Sequence, residues 1–369
     1  MTLLPPPTLA ERAGWVEVTG ERGELLEVPR GASTSYLTHG LFRYAGKLPP
    51  PLVAYLLHEY SEAGDTVLDP MCGGGTTAIE AVSSGRHAIN FDINTVSLTV
   101  AQALTRPGGV EQLNTFGNRV LDEHSPIAPE GPLRDYFTDD AYGLLHHGLK
   151  IARDPVQKTL VLSIARRASF ANTKKINTVV DKTKTPQPVR KLFSASLQKF
   201  MSAFEDLNAE VRADSAVKRS RAQKLPLDDA TVDFTLLHPP YLTNTAFSES
   251  MHLQLLLMGA DPEVLRKSEL AFRGSYFYVT NGLRKYLVGW SGMLAEAFRV
   301  SRSGAHVAVV VGDGRIDKVR IPVATITEEF AGDLGYECVY RGLHVLNNQT
   351  GWTLSRRMSS QHVLVFRKP

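Results

Sequence analysis

The stretch Asp69-Pro70-Met71-Cys72-Gly73-Gly74-Gly75-Thr76-Thr77 decides how this chain is read. Before it runs Thr66-Val67-Leu68, a short apolar strand that ends on Asp69-Pro70. After it a helix is expected over residues 76–84, stopped by Gly85. Residues 87–91 read as a second strand, ending on Asp92. Strand, Gly-rich turn, helix and strand with a terminal acid form the first half of a nucleotide-binding α/β sheet. Glycines in such a turn let the backbone approach a ligand with no Cβ in the way, and the helix N-terminus offers unpaired N–H groups to a carboxylate. Asp69 can accept from an ammonium group, and Asp92, 23 residues later, stands where an acid holds ribose hydroxyls. A ligand with an ammonium, a carboxylate and a ribose fits methionine joined to adenosine. The turn has neither the Lys of a P-loop nor the spacing of a dinucleotide fingerprint. A purely structural turn is the plainer alternative.

The rest of the chain supports an α/β reading with one interruption. Residues 1–34, rich in Pro, Gly and Glu, read as an arm or loosely packed cap. Residues 35–60 lead into a helix that starts at Pro49-Pro50-Pro51 and carries Leu52, Val53, Leu56 and Leu57. Beyond Asp92 the alternation breaks: residues 101–213 hold helix-like stretches, 141–151 and 192–211, and no convincing strand. About 80–90 residues here, roughly 130–215, read as an inserted helical subdomain. The α/β pattern resumes with Val232-Asp233-Phe234-Thr235-Leu236-Leu237, a buried strand delivering His238-Pro239-Pro240-Tyr241. A helix over 283–299, a strand over 306–311 closed by Gly312-Asp313-Gly314, a helix over 323–334 and a strand over 362–366 complete the sheet.

The Asp69–Thr77 stretch resembles the cofactor motif of the amino-methylating DNA methyltransferases, commonly written DPFCGSGTT, with Met71 for the Phe and Gly74 for the Ser. His39-Gly40-Leu41-Phe42-Arg43-Tyr44-Ala45-Gly46-Lys47-Leu48-Pro49 is similar to the family's segment that folds over the methionine end of the cofactor. The resemblance implies S-adenosylmethionine as cofactor, held by Tyr44, Lys47, Asp69, Pro70, Cys72, Gly73, Gly75, Thr76, Thr77, Asp92 and Asn94. Cys72 is then a wall residue that packs. The fold implied is a Rossmann-like methyltransferase sheet, α/β, with helices on both faces and a mainly helical insert.

His238-Pro239-Pro240-Tyr241 carries the expected chemistry. Two prolines fix φ and remove two N–H donors, so the backbone is rigid and its carbonyls stay free to accept. A target amino group needs acceptors that draw electron density into its nitrogen lone pair, a task for the side chain of His238 and the Pro239 carbonyl. Tyr241 can stack on a base flipped out of a duplex. A Pro-Pro turn after a buried strand is the structural alternative. Leu225-Pro226-Leu227-Asp228-Asp229-Ala230-Thr231-Val232-Asp233 resembles the family's lead-in to this motif, and Leu242, Asn244 and residues 251–259 resemble the tail of its N4-cytosine members. The resemblance covers about residues 35–105 and 216–369. Two positions depart from it. His238 stands where the family has Asp, Asn or Ser, and a neutral imidazole accepts one hydrogen bond whereas an imidazolium accepts none. Ser220-Arg221-Ala222 stands where relatives often have Gly-Asp-Ala.

Charge supplies the remaining signal. Residues 133–225 hold 18 Lys/Arg against 9 Asp/Glu, a local +9 in a chain of net +3, and such asymmetry suits a polyanionic partner. Within 172–191, Lys174, Lys175, Lys182, Lys184, Arg190 and Lys191 face one acid, Asp181, with Thr173, Thr178, Thr183 and Thr185 interleaved. Lysines and hydroxyls in this mixture suit a loop laid against the phosphates of double-stranded DNA. A solvated polar loop is the alternative. The expected units are an arm over 1–34, a cofactor-binding half over 35–130, a basic target-recognition insert over 131–215 and a catalytic half over 216–369.

Other classes are excluded more simply. No apolar run approaches the ~20 residues of a membrane helix, and the start lacks a signal-peptide h-region, so a cytoplasmic protein without membrane contact is expected. Cys72 and Cys338 make neither a disulfide framework nor a zinc site, and His39, His146, His147, His252 and His306 lack ligand spacing, so no metal is expected. Asp313 reads as a turn residue. The reading is a site-specific DNA methyltransferase acting on an exocyclic amino group, N4 of cytosine ahead of N6 of adenine, and compatible with a cognate restriction or defence-system partner. Two rivals stay open. One is an RNA or tRNA amino-methyltransferase, for whose usual RNA-binding domain the residues before the core leave no room. The other is an inactive nucleic-acid-binding relative, opposed by the intact Asp69, Gly73, Gly75 and Asp92 but allowed by His238.

Overall fold

The computed structural model describes residues 7–369 apart from 22, 30–31, 243–245, 271–280, 317 and 347–358. Among them nine strands form one sheet: β1 (Glu17–Thr19), β2 (Leu25–Glu27), β3 (Thr66–Asp69), β4 (His87–Asp92), β5 (Ser215–Arg219), β6 (Val232–Leu237), β7 (Ser301–Val311), β10 (Glu337–Val345) and β11 (Ser360–Arg367). Their order is β1-β2-β10-β11-β7-β6-β3-β4-β5, and β8 (Gly314–Ile316) and β9 (Val319–Ile321) form a separate hairpin. The run from β7 to β5 is parallel throughout, while β11 lies antiparallel between β7 and β10. From β3 the chain steps outward to β4 and β5, then returns to β6 on the other side of β3. Strand order therefore reverses between β3 and β6, and ligands of open α/β sheets bind at the C-terminal ends of strands beside such a reversal.

Alternation along the strands shows why both faces are covered. Val307, Val309 and Val311 of β7 and Leu364 and Phe366 of β11 pack under α12 (Gly282–Val300) and α13 (Val323–Asp333), around the buried Tyr286, Trp290 and Leu294. The intervening Ala308, Val310, Val363 and Val365 pack on the opposite face under α2 (Pro50–Tyr60) and α3 (Thr76–Ser83). A two-residue period with apolar groups at both phases is what a strand buried on both faces requires. The α/β sheet with helices on both faces is as expected.

Between β4 and β5 lies a block of helices: α4 (Thr95–Leu104), α5 (Val110–Glu123), α6 (Asp139–Ile151), α7 (Pro155–Ile164) and α8 (Val189–Glu210). Their core includes Leu144, Leu160, Phe193, Phe200 and Phe204, and it is continuous with Leu37, Leu41 and Phe42 and with Leu253 and Leu255. Three features differ from the sequence reading. Residues 1–34, expected as an arm, supply α1 (Leu9–Ala13) and two strands, with Leu26 fully buried and β2 parallel to β10. The strand β5 lies between the helix-like stretches and Val232, where no strand is assigned from sequence; only Val217 of its five residues is buried, as befits an edge, and that left no periodic signal. The strand β10 alternates too weakly to be read, with only Gly342 and His344 buried.

The N-terminal segment is bolted to α3 through one carboxylate. Glu80 is fully buried and accepts from Arg12 Nε at 2.9 Å, from Tyr36 Oη at 2.5 Å and from His39 Nε2 at 2.8 Å. Burial alone pushes its carboxyl up, but the His39 hydrogen bond and the Arg12 charge outweigh this and leave it below the usual range. Removing one partner of such a set leaves the others buried and uncompensated. Glu80→Ala is expected to cost about 3–5 kcal/mol, read as a fall in the urea midpoint at unchanged slope.

Candidate active site

The C-terminal ends of β3, β4, β5 and β6 open onto one cavity. β3 contributes Asp69, β4 contributes Asp92, and the segments after β5 and β6 contribute Ser220, Arg221, Ala222 and Gln223 and then His238 and Pro240. The Gly-rich turn forms its floor, with Pro70, Met71, Cys72, Gly73, Gly74, Thr76 and Thr77 all at its surface. The turn is held by its two acids. Asp69 accepts from Thr77 Oγ1 at 2.6 Å and from the Met71 N–H at 3.1 Å. Asp92 accepts from the Gly73 N–H at 2.9 Å and from the Asn94 N–H at 2.8 Å, and so ties β4 to the turn after β3. Burial pushes both carboxyls up, each to about 6.

The three glycines divide the work differently from expectation. Gly73 and Gly74 line the cavity, and a Cβ on Gly73 would lie 2.9 Å from the Tyr44 ring. Gly75, expected beside the cofactor, instead starts α3 with φ +78°, and its absent Cβ faces the Ala101 backbone at 3.1 Å. It makes the left-handed turn and the close helix contact, and it does not line the cavity. Cys72 is buried with its thiol pushed up by burial, as a packing residue should be.

Tyr44 and Lys47 close one side. The Tyr44 hydroxyl meets Ser97 Oγ at 2.9 Å, and its ring lies 5.5 Å from that of Phe247 in α9 (Phe247–Ser250). Lys47 donates to the His39 carbonyl at 2.8 Å, and burial lowers its ammonium to about 8. Asn94 caps α4 through Oδ1, while its Nδ2 is buried with no hydrogen-bond partner among the described residues. Glu269 is a site residue that sequence reasoning missed. It is buried at the cavity wall, accepts from Ser248 N and Oγ at 2.8 Å each, and is raised by burial. A lone Glu after α11 (Pro262–Ser268), outside either motif, carries no signal of its own.

A second cavity adjoins the first. The two share Tyr44, Gly46, Lys47, Leu48 and His238 as a common wall. The second is further lined by Arg43, Arg166, Arg167, Thr173, Tyr241, Met251, Gln254, His344 and Gln361, with no carboxylate among the described lining residues. Burial, then the neighbouring His344, lowers His238 to about 4, so its ring is neutral at physiological pH. His238 Nε2 lies 3.1 Å from the Tyr241 hydroxyl, with the rings edge to face at 5.5 Å. Tyr241 is 9% exposed and its hydroxyl donates to Gln361 Oε1. Leu242 packs in the sheet core against Gly314, and Asn244 lies outside the described residues. Of residues 251–259, Met251 and Gln254, the latter in α10 (His252–Leu257), reach the second cavity.

The basic stretch is organised from within. The Arg166 guanidinium donates to the carbonyls of Asn172, Lys175, Ile176 and Asn177, wrapping the chain around itself. Lys174, Lys175, Lys182, Arg190 and Lys191 stay exposed, Lys182 with Asp135 at 3.9 Å. Lys184, expected to meet phosphate, turns inward: its ammonium donates to the carbonyls of Arg166, Ser169 and Ala171 at 2.8, 2.5 and 2.9 Å. It is a structural clasp. Thr178 N–H donates to the Glu249 carbonyl at 3.0 Å, joining this loop to α9. Asp313 pairs with Arg320 and accepts from the Ala324 N–H at the start of α13. Among the described residues no group of three or more His, Cys, Asp or Glu could hold a metal, and no helix is long and apolar enough to cross a membrane.

The cavity fits S-adenosylmethionine. Carboxylates at Asp69, Asp92 and Glu269 suit its positive charges and ribose hydroxyls, and the Asn94 amide supplies an unspent donor. A family model described as "DNA methylase", covering N6 and N4 methyltransferases, matches residues 17–103. The type II methyltransferase M.MjaII of Methanocaldococcus jannaschii is 32% identical over 75 residues, 20% of this chain and 14% of its own length. The type II methyltransferase M.BsoBI of Geobacillus stearothermophilus is 21% identical over an alignment of 408 positions, 83% of this chain and 80% of its own. Among solved structures, a SAM-dependent methyltransferase from Methanosarcina mazei aligns with 85% of this chain and 96% of its own at 14% identity and a TM-score of 0.36, too distant to inform function. The family match over the cofactor half and the two relatives bear out the resemblance read from the motifs: the chain is similar to the S-adenosylmethionine-dependent, amino-methylating DNA methyltransferases.

Proposed function

We propose that the chain transfers a methyl group from S-adenosylmethionine to an exocyclic amino nitrogen of a base in double-stranded DNA, N4 of cytosine ahead of N6 of adenine. The observation that carries this reading is the wall shared by two cavities, with a neutral His238 exposed to both. In this assignment the first cavity holds the cofactor, with Asp92 and Asn94 on its ribose, Asp69 and the turn at its methionine end, and 220–223 toward its adenine. The second receives the flipped base, and Gln254 is the residue of the cytosine-like tail that reaches it. Residues 35–130 and 216–369 then act as the two halves of the core. The segment 131–215 meets the duplex through Lys174, Lys175, Lys182, Arg190 and Lys191, without Lys184.

When bound, the cofactor supplies a methyl group on a sulfonium, whose displacement leaves a neutral thioether. The protein's part is positioning and polarisation. An amino nitrogen conjugated to a base ring is a weak nucleophile until its N–H groups are drawn toward acceptors. A neutral His238 nitrogen provides one; Pro239, expected to offer its carbonyl as a second, is buried and lines neither cavity. With a pKa of about 4, His238 does not keep the departing proton at neutral pH, so it acts as an acceptor and the proton passes to water. Tyr241 holds His238 edge-on and walls the base site.

Two outcomes test this reading. Mass spectrometry of nucleosides from treated duplex DNA is expected to find N4-methylcytosine. N6-methyladenine instead would overturn only the preference for cytosine. Methyl groups solely on a ring carbon, solely in RNA treated in parallel, or nowhere would overturn the reaction and favour a rival. The acid limb is also expected to belong to the cofactor site: with Asp69 and Asp92 each raised to about 6, only about a tenth of either stays ionised at pH 5, so cofactor affinity should fall about tenfold between pH 7.5 and 5 for each carboxylate that must be ionised, at least tenfold in all. A histidine at its ordinary pKa would instead give a loss below about pH 6, but burial moves His238 down to about 4. Calorimetry showing constant affinity across that range would contradict the assignment.

A further inference from the structure

His238 does not stand alone. From its Nε2 a chain of hydrogen bonds runs through the Tyr241 hydroxyl to Gln361 Oε1 on β11, and from Gln361 Nε2 to His344 Nδ1 on β10 at 3.0 Å. His344 and Gln361 are direct partners across the β10–β11 ladder, 2% and 4% exposed, and both reach the second cavity. Neither residue belongs to a motif, and the mechanism above gives neither a task. A buried polar pair at the wall of a reaction cavity needs one.

Counting protons shows what the chain does. A tyrosine hydroxyl has a single proton, and here it is donated to the Gln361 carbonyl oxygen. Toward His238 the Tyr241 oxygen can then only accept, so His238 Nε2 must carry hydrogen. A neutral imidazole has one N–H and one lone pair, which leaves the lone pair on Nδ1. At the far end, the Gln361 amide donates to His344 Nδ1, and that direction holds with His344 as the neutral tautomer protonated on Nε2, whose lone pair then lies on Nδ1. Burial lowers His344 to about 4 and keeps the ring neutral. If the amide turned over, every bond in the chain would reverse. Tyr241 would donate to His238 Nε2, and Nδ1 would become a donor, unable to accept from an amino group.

We propose that His344 and Gln361 are positioning residues that set the tautomer of His238, through Tyr241, so that Nδ1 presents its lone pair to the target amino group. The inference rests on the reading of His238 as an acceptor, but the tautomer can be measured without substrate. Relays of this kind act by holding a ring in one protonation pattern, and their loss leaves binding intact.

The test uses the full chain labelled with 15N-histidine, with the His238 signals identified by their absence from His238→Asn. In the wild type at pH 7, Nε2 is expected to be protonated and Nδ1 unprotonated. Gln361→Leu removes the acceptor of the Tyr241 proton. It should mix the two tautomers and lower kcat about two- to tenfold, in proportion to the tautomer lost, while cofactor Kd stays within about twofold. Gln361→Glu at pH 8, whose carboxylate can only accept, should restore the single tautomer and most of kcat. A protonated Nδ1 in the wild type, or a Gln361→Leu variant with unchanged signals, would overturn the proposal. If Gln361→Leu fails to fold, the wild-type spectrum and Gln361→Glu decide alone. Methylation of DNA with the wrong tautomer present would sink only this inference. A correct tautomer without any methylated base would support the relay and count against the function it serves.

Discussion

The hydrogen bond from the Gly73 N–H to the Asp92 carboxylate joins the ends of two adjacent parallel strands, and the first, carboxylate-lined cavity is organised around it. It places a second carboxylate within reach of the one on Asp69, in a recess where burial raises both to about 6. Two like charges held close in a poorly hydrated place are unfavourable without a counter-charge. Such a site favours a cationic ligand. Because Gly73 and Gly74 lack side chains, the Tyr44 ring can lie across the same turn and serve as wall to both cavities.

In the proposed assignment, that shared wall separates the binding of a charged cofactor from the treatment of a neutral base. On one side stand Asp69, Asp92 and Glu269; on the other the described lining holds arginines, Lys47 and three histidines but no carboxylate. The contrast fits a sulfonium cofactor opposite a nucleotide with flanking phosphates. His238 belongs to both sides, and burial keeps its ring neutral at pH 7, able to accept a hydrogen bond. The loop around Arg166 is joined to α9 through the Thr178–Glu249 bond, and Arg166, Arg167 and Thr173 line the second cavity.

How much of this was legible in the sequence follows from what periodicity and motifs can carry. The strand–turn–helix at 66–83 was readable because glycine, a helix start and a terminal acid coincide within a few residues, and β6 with its Pro-Pro-Tyr was readable for the same reason. The strand β5 was not, since an edge strand with one buried residue has no alternation to detect, and with it went the placement of 220–223 in the cofactor cavity. Gly75 and Lys184 were assigned to ligands by residue type, yet one faces the α4 backbone and the other clasps three carbonyls; both facts depend on tertiary contacts. Glu269, His344 and Gln361 come from scattered positions, and nothing short of the folded sheet brings them to the cavities.

The central claim is that the cofactor occupies the carboxylate-lined cavity with its methyl group at the wall bearing His238. A crystal structure of the complex with S-adenosylmethionine measures this directly. The account predicts the ribose hydroxyls within hydrogen-bond distance of Asp92, the ammonium toward the Asp69 end of the turn, and the methyl group facing His238 across the shared wall. Cofactor density in the second cavity, or a ribose remote from Asp92, would contradict it.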